Sequence, residues 1–173
     1  MDLQLRKATT SDIPVITAII AGAKEKMHAN GNPQWTGAYP SEADFTVDIK
    51  NEHLWVGELE GVVVGLAALV PGPDLNYAKI DGAWLPQSTG EYIAIHRIAT
   101  DVNVQTRGIG TQFVQAAIEV ALQAGYREVR IDTHANNYAM QRVVEKTGFT
   151  YNGIVKMVID NTDRLAFTHF VEQ

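Results

Sequence analysis

One histidine and a short glycine-bearing loop are the parts of this sequence best suited to chemistry. His96 lies within Tyr92-Ile93-Ala94-Ile95-His96-Arg97-Ile98-Ala99-Thr100, an apolar stretch that reads as a strand. Gln105-Thr106-Arg107-Gly108-Ile109-Gly110 comes next. Beyond it Phe113, Val114, Ala117, Ile118, Ala121 and Leu122 recur at the spacing of one helix face. A strand, a glycine loop and a helix start in that order leave free backbone N–H groups at the head of the helix dipole. That arrangement holds a phosphate or pyrophosphate, so the order predicts a phosphorylated cofactor.

Composition narrows the setting. The 173 residues suit one domain, and a hydrophobic share of 46% allows a sizeable core. A formal charge of −6 gives no basic footprint for nucleic acid, and favours a cationic partner if any. With no cysteine there is no disulfide, no thiolate-ligated zinc and no thioester-forming nucleophile. The first residues carry no apolar signal core, and the longest apolar run, Val62 to Val70, is too short to span a bilayer. The expectation is a soluble, cytoplasmic protein.

The elements that must position these residues follow from periodicity. Leu3 to Arg6 alternates as a strand, and Thr10-Ser11-Asp12 with Pro14 starts a helix reaching about His28. A loop from Asn30 to Pro40 precedes a short helix over Glu42 to Lys50, capped by Ser41. Leu54 to Leu59 and Val62 to Val70 form a hairpin turning at Glu60-Gly61, and Asp74 to Gly90 is a connector. After the strand at His96 and the loop's helix, which stops at Gly125, come a strand around Val129 to Thr133 and a helix from Asn137 to Lys146. Strands near Tyr151 to Ile159 and Arg164 to Val171 close the chain. The order β-α-α-β-β-β-α-β-α-β-β predicts an α+β fold, a single domain over residues 1–173 with a mixed, mostly antiparallel central sheet flanked by helices.

Three phosphate sites can be compared with the loop. A P-loop requires Gly-Lys-Ser/Thr, which is missing, and a dinucleotide fingerprint requires a third glycine where Phe113 stands. Gln105-x-x-Gly108-x-Gly110 between a central strand and a long helix instead resembles motif A of the GNAT N-acetyltransferases, and Asn137, Gly148 and Phe149 match that family's downstream pattern. The resemblance spans nearly the whole chain. It implies acetyl-coenzyme A as acyl donor, with its pyrophosphate on Gln105, Thr106, Arg107, Gly108, Ile109, Gly110 and Thr111. It places the pantetheine arm along Ile98-Ala99-Thr100 and further cofactor contacts at His134, Asn137 and Met140. No metal is implied. The alternative to all of this is a turn and helix start without a ligand.

Transfer of an acetyl group to an amine needs a neutral amine, and an alkyl ammonium with pKa about 10.4 is almost fully protonated near neutrality. Some family members place a base on the strand before motif A. His96 stands two positions ahead of Ile98, on the same strand face by the period-2 rule, and is the candidate base. A structural, hydrogen-bonded histidine is the other reading. The family's frequent tyrosine acid is replaced by Val144, leaving solvent or another hydroxyl such as Tyr138 for the leaving thiol. Gln34, Trp35 and Tyr39 are expected to wall the acceptor pocket, or else to plug the fold. Arg97 and Asp132 are expected to pair as strand neighbours. Arg142 and Lys146 either meet a nucleotide phosphate or are solvated, and Trp55 and Trp84 carry no functional signal. The expected reaction is direct acetyl transfer to a primary amine of a small molecule or peptide. A non-catalytic acyl-coenzyme A-binding or sensing module and a dinucleotide-binding domain are the alternatives. No nucleic-acid or membrane partner is expected, and the last strands offer a possible homodimer interface.

Overall fold

The computed structural model describes residues 2–85 and 91–171; the end of the expected connector, 86–90, lies outside them. β1 (Gln4–Lys7) leads through a 3-10 turn at Thr10–Asp12 into α1 (Ile13–Ala29), followed by α2 (Glu42–Lys50). β2 (Leu54–Leu59) and β3 (Val62–Pro71) form the hairpin, turning where Glu60 and Gly61 both have positive φ, the geometry that matches strand twist. A 3-10 turn at Leu75–Tyr77 and a two-residue β4 (Asp81–Gly82) give the connector its structure. Then come β5 (Ile93–Thr100), α3 (Ile109–Gln123), β6 (Glu128–Thr133), α4 (Tyr138–Lys146), β7 (Thr150–Lys156) and β8 (Asp163–Phe170). Apart from β4, this is the order the sequence predicts.

The helix starts are written in side chains that cap backbone. Asp12 Oδ2 accepts from the Thr9 N–H at 2.8 Å, and Asp44 Oδ2 accepts from the Ser41 N–H at 2.7 Å. Asn137 Oδ1 caps α4 by accepting from the Met140 N–H at 3.1 Å. α3 differs. It begins at Gly108 in the left-handed region, φ 74°, with no side-chain cap.

One sheet of eight strands runs in the order β1-β2-β3-β5-β6-β8-β7-β4. Every neighbouring pair is antiparallel except β5 with β6. Both faces are covered, which explains the nearly continuous apolar run of β3. Ala67 and Leu69 pack with Ile93, Ile95, Ile131 and the Phe113 face of α3 on one side; Leu66 and Ala68 pack with Ile16, Ile20 and Phe45 of α1 and α2 on the other. No helix among the described residues is long and apolar enough to cross a membrane.

The position of α3 is set by a glycine pair. Gly57 of β2 lies opposite Gly65 of β3, and the Phe113 ring fills the space above both. A Cβ on Gly57 would stand 2.6 Å from Phe113 Cε2, and one on Gly65 would stand 2.9 Å from that atom and 3.0 Å from the Ala99 carbonyl oxygen. These separations leave no room for a methyl group. Gly65→Ala should therefore destabilise the fold by about 1–3 kcal/mol, the usual cost of overpacking. Urea unfolding measures this, and an unchanged midpoint would show that Phe113 can retreat freely.

Candidate active site

The site exists because β5 and β6 stop pairing. Their parallel ladder runs from Ile93 opposite Val129 to Ile95 opposite Ile131 and goes no further. At that point Arg97 takes φ 51°, and the register of β5 against β3 slips between Ala68 and Leu66, a bulge. Beyond it, Ala99 and Thr100 still pair with Leu66 and Gly65 of β3, but the other edge of β5 there has no strand neighbour among the described residues. At the end of this edge sits the loop of residues 105–110. The amides of residues 106–110 find no acceptor among the described residues, and a Cβ on Gly108 would meet nothing within 4 Å. Free amides at an uncapped helix start suit a phosphate group, and an unpaired strand edge suits an extended arm bearing amides. Gln105, Arg107 and Gly108 are exposed, Ile109 is buried, and Gly110 rests against Val143 of α4.

The bulge also corrects an expectation about His96. An extra residue in β5 inverts the alternation, so His96 and Ile98 do not share a face. Ile98 packs with the core containing Ile93 and Ile95, whereas the His96 ring lies 5.8 Å from that of Tyr77 in the cluster containing Ala94. Both nevertheless line one cleft of about 750 Å³, because the cleft passes through the parting of the strands.

Within it His96 is held by acids from distant parts of the chain. Its Nε2 is 2.5 Å from Asp74 Oδ2, and its Nδ1 is 4.0 Å from Asp132 Oδ2. Asp74 Oδ1 accepts from the Asn76 N–H at 2.8 Å, and the Tyr92 hydroxyl accepts from the Asp74 N–H at 2.7 Å. Burial pushes the Asp74 carboxyl up, but the His96 and Asn76 hydrogen bonds outweigh this and leave it below the usual range, ionised at neutral pH. Asp132 shows the opposite balance. Burial, with the Asp74 charge in support, raises it despite His96, Arg164 and the Tyr77 hydroxyl, which donates to Oδ2 at 2.6 Å. The Tyr77 phenol is itself pushed well above its ordinary value, first by burial and then by Asp132.

The loop between α1 and α2 is fastened on both banks. Gln34 Oε1 accepts from the His134 N–H at 3.3 Å and from Asn137 Nδ2 at 3.4 Å, while the Tyr39 hydroxyl accepts from Arg97 Nη1 at 3.1 Å. Trp35 lines the cleft and packs against the α1 core; Met140 lines it from α4. Arg97 does not pair with Asp132. Its Nε and Nη2 donate to Asp48 of α2 at 2.7 and 2.8 Å, because its left-handed backbone turns the side chain toward that helix. His134 serves its own turn, its Nδ1 accepting from the Asn136 N–H at 3.0 Å, and lies outside the cleft lining. Val144 is fully buried in the core, Tyr138 is exposed outside the cleft, and Arg142 and Lys146 are solvated.

Trp84 does have a place. With Tyr92 it sandwiches the Arg130 guanidinium, at 4.1 and 4.0 Å from the two ring centres, and its Nε1 donates to the Tyr77 carbonyl at 3.1 Å. It thereby pins the connector that carries Asp74 and Tyr77. Trp55, by contrast, packs against the edge of the core with Lys7 above it.

Residues 24–149 match the Acetyltransferase (GNAT) family. The chain belongs to the GNAT acetyltransferase family. It is 32% identical to a GNAT acetyltransferase of solved structure from Streptococcus agalactiae, covering 99% of this chain and 96% of that one with a TM-score of 0.90. A GNAT acetyltransferase from Listeria monocytogenes shares the fold at 15% identity and a TM-score of 0.75, over 98% of this chain and 95% of that one. The Salmonella typhimurium acetyl transferase that modifies the N-terminal serine of ribosomal protein L7/L12 shares it at 17% identity and 0.70, over 99% and 96%. No curated protein matches the sequence.

The raised Asp132 carboxyl carries a pH signature. A proton held more tightly in the folded state contributes stability that is full below the unfolded value, near 3.9, and is lost as pH rises through the folded value. Asp132→Asn, which keeps an acceptor for Tyr77, should therefore gain stability relative to the parent as pH is raised from 4 to 8. Urea midpoints across that range test it; a pH-independent difference between the two proteins would contradict the assignment.

Proposed function

We propose that the chain is an acetyl-coenzyme A-dependent N-acetyltransferase that passes the acetyl group directly to a primary amine. One observation carries the reading: the parting of β5 from β6 joins an anion-ready loop of free amides to a cleft holding a histidine on an ionised carboxylate. The amides of Thr106 to Gly110, flanked by Gln105 and Thr111, would hold the pyrophosphate. The free edge of Ile98 to Thr100 would hold the pantetheine arm, with Met140 and Asn137 on the opposite bank. Bound there, acetyl-coenzyme A supplies an acyl group on a thiol whose ordinary pKa near 8.5 makes it a competent leaving group.

The chain's own residues prepare the amine. Asp74 attracts an ammonium group into a cleft walled by Trp35, Tyr39 and Ile98. With Asp74 accepting from Nε2–H, the His96 tautomer keeps its Nδ1 lone pair, which takes the proton that must leave before the amine is nucleophilic. The imidazolium formed is stabilised by Asp74 on one side and faces Asp132 on the other. The acceptor is a small molecule or a peptide amine; the Salmonella enzyme's N-terminal serine is one instance of that class. Val144 in the core supplies no proton to the leaving group, the feature that favours the second reading, an acyl-coenzyme A-binding module without turnover.

Free-thiol release across an amine panel separates the two. On the first reading His96→Gln lowers kcat/KM about 10²- to 10⁴-fold and removes the acidic limb of the pH profile, and Asp74→Asn lowers it in the same direction. An intact limb in His96→Gln would remove His96 from the chemistry. Coenzyme A binding without turnover of any amine would establish the module instead.

A further inference from the structure

Two arginines line the cleft, and they are not in the same condition. Arg97 is neutralised by its fork to Asp48. Arg164, on β8, is only 8% exposed, yet no carboxylate among the described residues lies within 4.0 Å of it. Its Nη1 donates to Thr162 Oγ1 at 2.8 Å and to the Asp163 carbonyl at 3.0 Å, both neutral acceptors. The nearest acid on this side is one step removed: the Thr162 hydroxyl donates to Asp160 Oδ1 at 2.6 Å. The other buried arginine, Arg130, is held by Glu128 at 2.7 Å and two aromatic rings. Buried guanidinium groups are ordinarily paired, because a desolvated cation without a counter-charge is costly. Arg164 acts on Asp132 and Asp160 only through space, so a direct carboxylate partner is left to come from outside the chain.

Its position says where on a ligand that charge would be. Arg164 and Ala166 alternate onto one face of β8, and Ala166 pairs with Asp132 of β6, which faces His96. The cleft thus holds Asp74 and His96, which receive an ammonium, and the buried guanidinium of Arg164, with Asp160 in the lining beside it and Asp132 under the influence of both His96 and Arg164. We propose that Arg164 recognises a carboxylate on the acceptor, so that the substrate is an amino acid or a close analogue and not a simple alkylamine. A planar guanidinium matches a carboxylate in two parallel hydrogen bonds. Asp132 and Asp160 nearby disfavour a more highly charged group such as a phosphate. The inference rests on the acetyltransferase reading for its amine end, and on Arg164 alone for its carboxylate end.

The test compares free L-amino acids with the matching amino-acid amides, which lack the charge Arg164 would meet, with rates referred to the neutral-amine fraction of each because the amide's amine is the weaker base. By free-thiol release, the parent protein should prefer the acids by roughly 10- to 100-fold in kcat/KM, the range of a charged hydrogen-bonded contact. Arg164→Met should abolish that preference, and Arg164→Lys should retain part of it. Equal use of acid and amide by the parent, or a preference that survives in a folded Arg164→Met, overturns the proposal. Calorimetric titration of the same acids and amides into the coenzyme A-loaded protein gives a readout without turnover. Tighter binding of acids that is lost in Arg164→Met supports the carboxylate site even if no amine is acetylated, in which case only the transferase reading fails. Equal binding of acids and amides overturns the site.

Discussion

β5 and β6 hydrogen-bond for three residues each and then separate, and the candidate site depends on that short ladder. Had the pairing continued, the edge of Ile98 to Thr100 would be closed by β6 and the cleft would be sheet. The separation is held by packing on both sides. Arg97 adopts a left-handed backbone, a conformation costing roughly 1–2 kcal/mol for a residue with a Cβ, and its guanidinium is then locked by Asp48 and Tyr39. α3 is seated on the other face through Phe113 over the facing glycines. The bulge turns one strand toward two different cores, and the cleft is the seam between them.

The second determinant is the connector. In sequence it is a polar stretch between two strands. In the fold it brings Asp74 to His96 and Tyr77 to Asp132, contacts that span 22 and 55 residues. The stack of Trp84, Arg130 and Tyr92 anchors it with a cation between aromatic faces, buried where a lone guanidinium would be unstable. The chain's excess of acid, −6 overall, is therefore not spread evenly in effect. Two of its carboxylates are gathered around a single imidazole; burial raises both, and the hydrogen bonds that Asp74 receives from His96 and Asn76 set their protonation apart.

Local signals made the fold legible. Capping residues, Gly125 and Gly148 at helix ends, the Glu60-Gly61 turn and the period of α3 each act within a few residues, so element order and type could be read from them directly. The glycine loop was legible for the same reason. What escaped was long-range. Nothing in the residue type of Arg97 announces positive φ, so the period-2 rule put His96 and Ile98 on one face and paired Arg97 with Asp132. Asp74 and Tyr77 carry no periodic pattern, and their value appears only when the chain returns to β5 and β6. Arg164 opens a strand with nothing in the local pattern to single it out; only the lack of a direct ion pair among the described residues marks it.

The ionised Asp74 beside His96 has a consequence for turnover as a cycle. Under the proposed function, an amine that enters as a cation would leave as an amide without the charge that drew it in, while the cleft's acids are unchanged. Product and substrate would then differ in their attraction to the Asp74 end of the cleft.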